Sequence, residues 1–262
     1  MEADLQEDSD LDAMQSFKNV LQQRRVIMNA LKNGSLSCLP GADGYADTQP
    51  VVNIVTGKSY DGVRLLLMKE HQKANGFPTA EYITELDFDK AQRARPDLCI
   101  RTGEQALSIQ HLVQNEKTKE FCGKSSRLFN VNQVNNPLEL KRWAEGKQQL
   151  PEKKQKEARA QILCTSTDPA KYLGQYFAAM SMGVKFKVNE KQAADFTKNL
   201  EGTVYKKIGT SLTTGKAMTN PFRLFDINNK ALEHCRDIVR DARKAEQPNQ
   251  KIEQRESQGV RR

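Results

Sequence analysis

The stretch Asn53-Ile54-Val55-Thr56-Gly57-Lys58-Ser59-Tyr60-Asp61-Gly62-Val63-Arg64-Leu65-Leu66-Leu67-Met68 constrains this chain more than any other, because a polar, glycine-containing turn passes there into an apolar run with Arg64 inside it. Gly57 supplies backbone freedom that a side chain would deny. Tyr60 follows as an aromatic able to stack on a base. Two readings share these residues, an ordinary strand-to-helix connection and a contact with nucleic acid.

Charge favours a polyanionic partner. The formal net charge of +8 understates the basic character, since Glu2, Asp4, Glu7, Asp8, Asp10 and Asp12 crowd six acids into the first twelve residues; without them 41 bases face 27 acids. A body that basic attracts nucleic acid or an anionic surface through phosphate neutralisation and counterion release. Cys38, Cys99, Cys122, Cys164 and Cys235 are odd in number and widely separated, which fits reduced thiols and a cytoplasmic location. The acidic start is unlike a signal peptide, and no apolar run approaches the ~18 residues of a membrane span.

Apolar spacing predicts helices over Asp12–Leu31, Gly62–Ala74 (stopped at Asn75-Gly76) and Glu81–Ala94, then strands over Ala106–Val113 and Arg127–Gln133 around an exposed loop at 114–126. Leu138–Gln161 reads as a charged helical stretch interrupted by Pro151, with seven bases and three acids between Lys141 and Arg159. Beyond it Tyr172, Leu173, Tyr176, Phe177 and Met180 share a helix face that ends at Gly183. A further helix carries Ala193, Phe196 and Leu200, and a last one spans about Asn229–Ala245 after a polar loop over 209–219. The expected fold class is α+β, a small mixed or antiparallel sheet with packed helices followed by a mainly α-helical C-terminal unit. The expected divisions are an acidic disordered leader (1–12), a first domain (13–137), a charged helical linker (138–163), a helical unit (164–246) and a disordered tail (247–262).

Catalytic patterns are incomplete. Gly57-Lys58-Ser59, Gly123-Lys124-Ser125 and Gly215-Lys216-Ala217 suggest a phosphate-cradling loop, but Val52, Thr118 and Thr210 stand where it needs its first glycine. His71, His111 and His234 are far apart, and Cys99, His111 and Cys122 lack the close ligand pairs of a zinc site. The expectation is therefore a non-enzymatic protein without metal or cofactor. Binding has better support, since Tyr60, Arg64, Lys69, Tyr82, Arg101, Phe129 and Trp143 intersperse aromatics with bases, a composition suited to single strands.

Asn53-Ile54-Val55-Thr56-Gly57-Lys58-Ser59-Tyr60-Asp61-Gly62, followed by Leu65-Leu66-Leu67, resembles the "N-x-x-T-G-basic-x-Y-x-G" signature of the ArdC-type antirestriction family's N-terminal domain. In the same order, Tyr82-Ile83-Thr84 resembles its aromatic-apolar-threonine segment. Ile100-Arg101-Thr102-Gly103-Glu104 is similar to its "basic-x-G-E" turn, and Phe129-Asn130-Val131-Asn132-Gln133 to its "F-N-x-x-Q" strand. The leading helix ending in Leu31-Lys32-Asn33-Gly34 matches the usual start, so the resemblance covers about Phe17–Gln133.

The resemblance implies a single-stranded DNA-binding domain of conjugative plasmids and related mobile elements, in proteins that protect entering DNA from restriction or serve replication. Its implied DNA contacts are Asn53, Thr56, Gly57, Lys58, Tyr60, Arg64, Tyr82, Arg101, Gly103, Phe129 and Gln133. Two departures limit it. Ser35-Leu36-Ser37-Cys38-Leu39-Pro40 stands where tryptophans are common, and nothing matches the paired histidines of the family's C-terminal zinc-protease-like domain. The expectation is a single-stranded DNA-binding protein of a mobile element, with C-terminal helices available to a protein partner. A non-catalytic scaffold of a conjugation or secretion complex is the alternative.

Overall fold

In the computed structural model the described residues are 18–114, 121–147, 161–210, 217–220 and 222–259, without side chains at 111–114, 121–124, 217–218 and 245–259. The acidic leader, residues 148–160 of the basic stretch, the loop 211–216 and the His111 and Cys122 side chains lie outside them.

Helix α1 (18–32) leads to a loop carrying β1 (Tyr45–Ala46), then β2 (Val52–Asn53), α2 (Gly62–Ala74), β3 (Glu81–Thr84), α3 (Glu85–Ala94), β4 (Leu107–Gln114), β5 (Phe121–Asn130) and α4 (Pro137–Glu145). The C-terminal half holds β6 (Gln161–Leu163), α5 (Pro169–Met182), β7 (Lys185–Lys187), α6 (Glu190–Val204), β8 (Lys207–Thr210), β9 (Ala217–Thr219) and α7 (Arg223–Gly259). Three small sheets result, ordered β2-β3-β5-β4, β1-β7-β6 and β8-β9. The first is mixed, with β2 parallel to β3 and the other pairs antiparallel, so the fold is α+β.

That four-stranded sheet is covered on both faces around β3 and the end of β5, while Ser108, Ser125 and Arg127 stay exposed on one face of the β4–β5 pair, and side-chain alternation decides which residue goes where. Tyr82, Leu128 and Ile109 point into the main core beneath α2, whereas Ile83 and Phe129 point into a second cluster with Phe88, Leu98 and Leu140 under α3 and α4.

The main core does not divide at 138–163. One apolar cluster takes Ile27, Leu31, Leu66 and Tyr82 together with Tyr172, Phe177, Phe186 and Phe196. β1, from the N-terminal half, pairs antiparallel with β7. Tyr172 donates its hydroxyl to Cys38 O (2.8 Å) and Tyr176 to Asp47 O (2.7 Å), so both buried hydroxyls are satisfied by the loop around β1. Lys69 of α2 reaches the same loop, its buried ammonium 2.7 Å from an Asp47 carboxylate oxygen. Burial lowers the Lys69 pKa and the Asp47 carboxylate acts to hold it up.

Several expected elements change type. Residues 81–84 form a strand rather than helix, because Tyr82, Ile83 and Thr84 pair with β5; the helix then starts at Glu85, with Thr84 Oγ1 accepting from Asp87 N. β5 begins at Phe121, within the expected loop, and Val131–Gln133 forms a 3-10 turn closed by reciprocal Asn130 and Gln133 side-chain bonds. Helix α4 ends at Glu145, and Gln161–Leu163 is a strand parallel to β7. The expected polar loop over 209–219 is flanked by the β8–β9 pair. The tail expected from 247 is helical to Gly259, consistent with the strong helix preference of its Gln, Glu, Lys and Arg residues.

Helices α5 and α7 cross at Gly174. A methyl group there would lie 2.6 Å from His234 Cβ and 2.9 Å from Ala231 O, closer than side-chain carbons approach, so only glycine permits this crossing. Among the described residues no helix is long and apolar enough to cross a membrane.

Two expected outcomes follow from this packing. Gly174→Ala should lower unfolding stability by about 1–3 kcal/mol in a denaturant titration, as overpacking against backbone does; an unchanged midpoint would contradict the close crossing. The second concerns His71, whose Nδ1 lies 3.0 Å from Tyr82 Oη while that hydroxyl donates to Met68 O at 2.9 Å. The single hydroxyl proton is committed to the carbonyl, so His71 donates from Nδ1 and keeps Nε2 unprotonated. Burial holds its pKa below the ordinary 6.5, against a smaller opposing pull from Glu104. Below about pH 6.5 the unfolded chain takes up a proton that the folded imidazole resists, so this stability is complete above that pH and declines as pH falls. Thermal midpoints measured from pH 7 to 5 should fall more steeply for the wild type than for His71→Asn; parallel slopes would refute the assignment.

Candidate nucleic-acid interface

The opening turn is organised by Asn53. Its Oδ1 accepts from Val55 N (2.9 Å) and Thr56 N (3.0 Å), its Nδ2 donates to Tyr60 Oη (3.2 Å), and its backbone closes the loop through Gly57 N to Asn53 O and Asn53 N to Lys58 O. Gly57 sits at φ 64°. Asn53 is thus buried and spent on the turn, while Thr56 and Lys58 remain exposed. Tyr60 is half-buried against the main core, and burial raises its hydroxyl pKa despite the Asn53 bond.

The turn is fixed to α7 at the start of α2. Asp61 occupies the capping position but makes no side-chain cap; instead Val63 N donates to Asn228 Oδ1 of α7 at 2.8 Å. Gly62 has φ 62°, and a β-carbon there would overlap that same amide oxygen. Glycine is needed both for the conformation and for the close approach of α7.

A groove of about 930 Å³ lies between this turn and α7. Tyr60, Leu65, Phe177, Met180 and Leu232 supply an apolar floor. Lys58 on one side and Arg236, Arg240, Arg243 and Lys244 on the other bring five cations against one lining carboxylate, Asp61. The α7 bases recur at four- and three-residue steps, which places them on one helix face. Arg240 is partly neutralised by Asp237 at 2.8 Å, and Arg64 by Asp61 at 2.6 Å. Cys235 also lines the groove, its thiol pushed up to about 11 chiefly by burial and so held protonated at neutral pH.

The other expected contacts are placed elsewhere. Tyr82 is fully buried and Phe129 is 7% exposed, packed on Phe88 at 5.9 Å, so neither presents a face to a base. Gln133, also buried, accepts from Asn130 N at 2.7 Å and donates to Glu104 Oε2 and Gln105 O. Arg101 and Gly103 are exposed on the turn that Gln133 braces, Arg101 N donating to Gln133 O. The motif residues therefore split: Gly57, Lys58 and Tyr60 line the groove, Asn53 and Thr56 shape its turn, Arg64 lines an adjoining recess, Gly103 lines another cleft beside Arg101, and Tyr82, Phe129 and Gln133 hold up the sheet. Sequence reasoning missed the α7 bases, although the spacing of Arg236, Arg240 and Arg243 beside apolar Leu232 and Val239 was visible in it.

Among the described residues no three His, Cys, Asp or Glu side chains gather in a group that could hold a metal ion. No family model matches the chain, and no curated protein matches it in sequence. Among solved structures, the Mn(II)-bound antirestriction ArdC protein from the R388 plasmid superposes with a TM-score of 0.51 at 11% identity, covering 86% of this chain and 97% of that one. The metal-free form of that protein gives 0.47 at 10% identity, covering 86% and 96%. Coverage of 86% carries the likeness past Gln133, where the sequence motifs stop, and into the C-terminal half. The chain thus shares the fold of that antirestriction protein along most of its length.

Proposed function

We propose that this chain binds single-stranded DNA in the groove between the Thr56–Tyr60 turn and α7, as a protein of a plasmid or other mobile element with an antirestriction or DNA-protecting role. One observation carries the reading: five cationic side chains rim an apolar floor. Lysines and arginines at a groove edge neutralise phosphates, while an apolar floor that includes Tyr60 and Phe177 rewards unpaired bases more than it rewards a duplex, whose bases are already stacked. The fold likeness to an antirestriction protein supports the mobile-element setting. The role is one of binding, without a reaction.

Fluorescence anisotropy with labelled oligonucleotides tests this. Single strands should bind more tightly than the matched duplex, with log affinity falling linearly as log salt rises. Lys58→Ala and Arg243→Ala should weaken binding to all sequences alike, each reducing the salt slope by about 0.7. Equal affinity for single strand and duplex, untouched by either substitution, would overturn the proposal.

A further inference from the structure

Gln23 of α1 is 5% exposed, yet neither its Oε1 nor its Nε2 has a hydrogen-bond partner. A buried amide left in that state carries the desolvation cost of both groups with no return, so it is poised to take a partner that the protein itself does not supply. It stands in the wall between two clefts. One, of about 590 Å³, lies between α1, α2 and the start of β4 and is lined also by Leu67, Glu70, His71, Glu104 and Leu107. The other, of about 460 Å³, shares Gln23 and Leu67 with it and shares Asp61 and Leu232 with the basic groove. The three recesses therefore adjoin one another in series around α2.

Their charge changes sign along the way. The groove is rimmed by lysine and arginine, whereas among the described residues the far cleft is lined by the carboxylates of Glu70 and Glu104 and by no lysine or arginine, although Lys73 lies 3.4 Å from Glu70 and Arg101 4.0 Å from Glu104 at its edge. The cleft lacks the row of cations that would hold phosphate, and its acceptors welcome a hydrogen-bond donor. A primary amide offers one donor and one acceptor side by side, the complement of an adenine or cytosine edge. The second proton of an exocyclic amino group then has a carboxylate to meet, a pairing that thymine, with a carbonyl in that place, cannot make. Glu104 is suited to this, its Oε2 anchored by Gln133 Nε2 at 3.0 Å.

We propose that this cleft receives an amino-bearing nucleobase, adenine or cytosine, with Gln23 pairing its edge and Glu104 accepting from its amino group. The proposal rests on the DNA-binding reading and sharpens it: phosphates follow the groove, and a base is read at the acidic end.

The test compares oligo-dA, oligo-dC and oligo-dT of equal length on the full chain. The wild type should bind dA or dC at least about tenfold more tightly than dT, the scale of a good paired contact. Gln23→Leu should bring the dA and dC affinities down to that for dT while the salt slope stays. Its thermal midpoint should equal or exceed that of the wild type, since leucine fills similar space without unpartnered polar atoms. Glu104→Gln should reduce the preference in the same direction. Equal wild-type affinity for all three, or a preference that survives Gln23→Leu, overturns the base cleft and leaves the groove standing. If no oligonucleotide binds, the groove reading fails; calorimetry with adenosine then decides the cleft, Gln23-dependent binding supporting it as a nucleoside site and no binding overturning it.

Discussion

The buried ammonium of Lys69 sets the terms for the rest of the molecule. A lysine on the core-facing side of α2 is tolerated only with a fixed anionic partner, and that partner, Asp47, belongs to the loop around β1. The loop must therefore stay in place, and the C-terminal half keeps it there through Tyr172, Tyr176 and the pairing of β1 with β7. Helix α2, which follows the Thr56–Tyr60 turn, and α5, which packs against α7, are in this way attached to one short polar segment. A single core across the two halves is the natural result, and the groove has rigid walls because both rest on that core.

Within the site, positions that a sequence motif marks as contacts do two different jobs. Asn53 and Gln133 spend their side-chain amides on neighbouring backbone groups and on the Tyr60 hydroxyl and Glu104 carboxylate, and Tyr82 and Phe129 face opposite sides of one sheet. Their chemistry is that of shape. What that shape leaves exposed is Thr56, Lys58 and part of Tyr60, beside the cations of α7. A motif of this kind preserves a platform as much as a binding surface.

Much of the architecture was legible from local pattern. α2 begins and ends where its apolar period and Asn75-Gly76 put it, and the α5 face from Tyr172 to Met180 is buried as its spacing required. Legibility failed where a distant partner decides the outcome. In residues 81–84 the strand-favouring types Tyr82, Ile83 and Thr84 make too short a run to declare themselves, and the strand is fixed by pairing with β2 and with β5, the latter more than forty residues later. A local clue was present even there, since Thr84 followed by Asp87 is the pattern of a helix start. At the site, Lys58 and Tyr60 could be read directly. The α7 bases could be listed but not located, and the isolation of the Gln23 amide exists only in three dimensions.

The Asn228 cap on α2 has a consequence for how the molecule is made. The first turn of α2 leaves amide protons that helices normally satisfy with a nearby side chain, and here the acceptor at Val63 comes from 165 residues downstream. During synthesis from the N-terminus, the glycine-rich turn emerges long before the residue that closes it. Contacts of such separation form late, after the intervening chain has been ordered. The groove is accordingly among the last features to appear, and a chain interrupted before α7 has the motif without the surface.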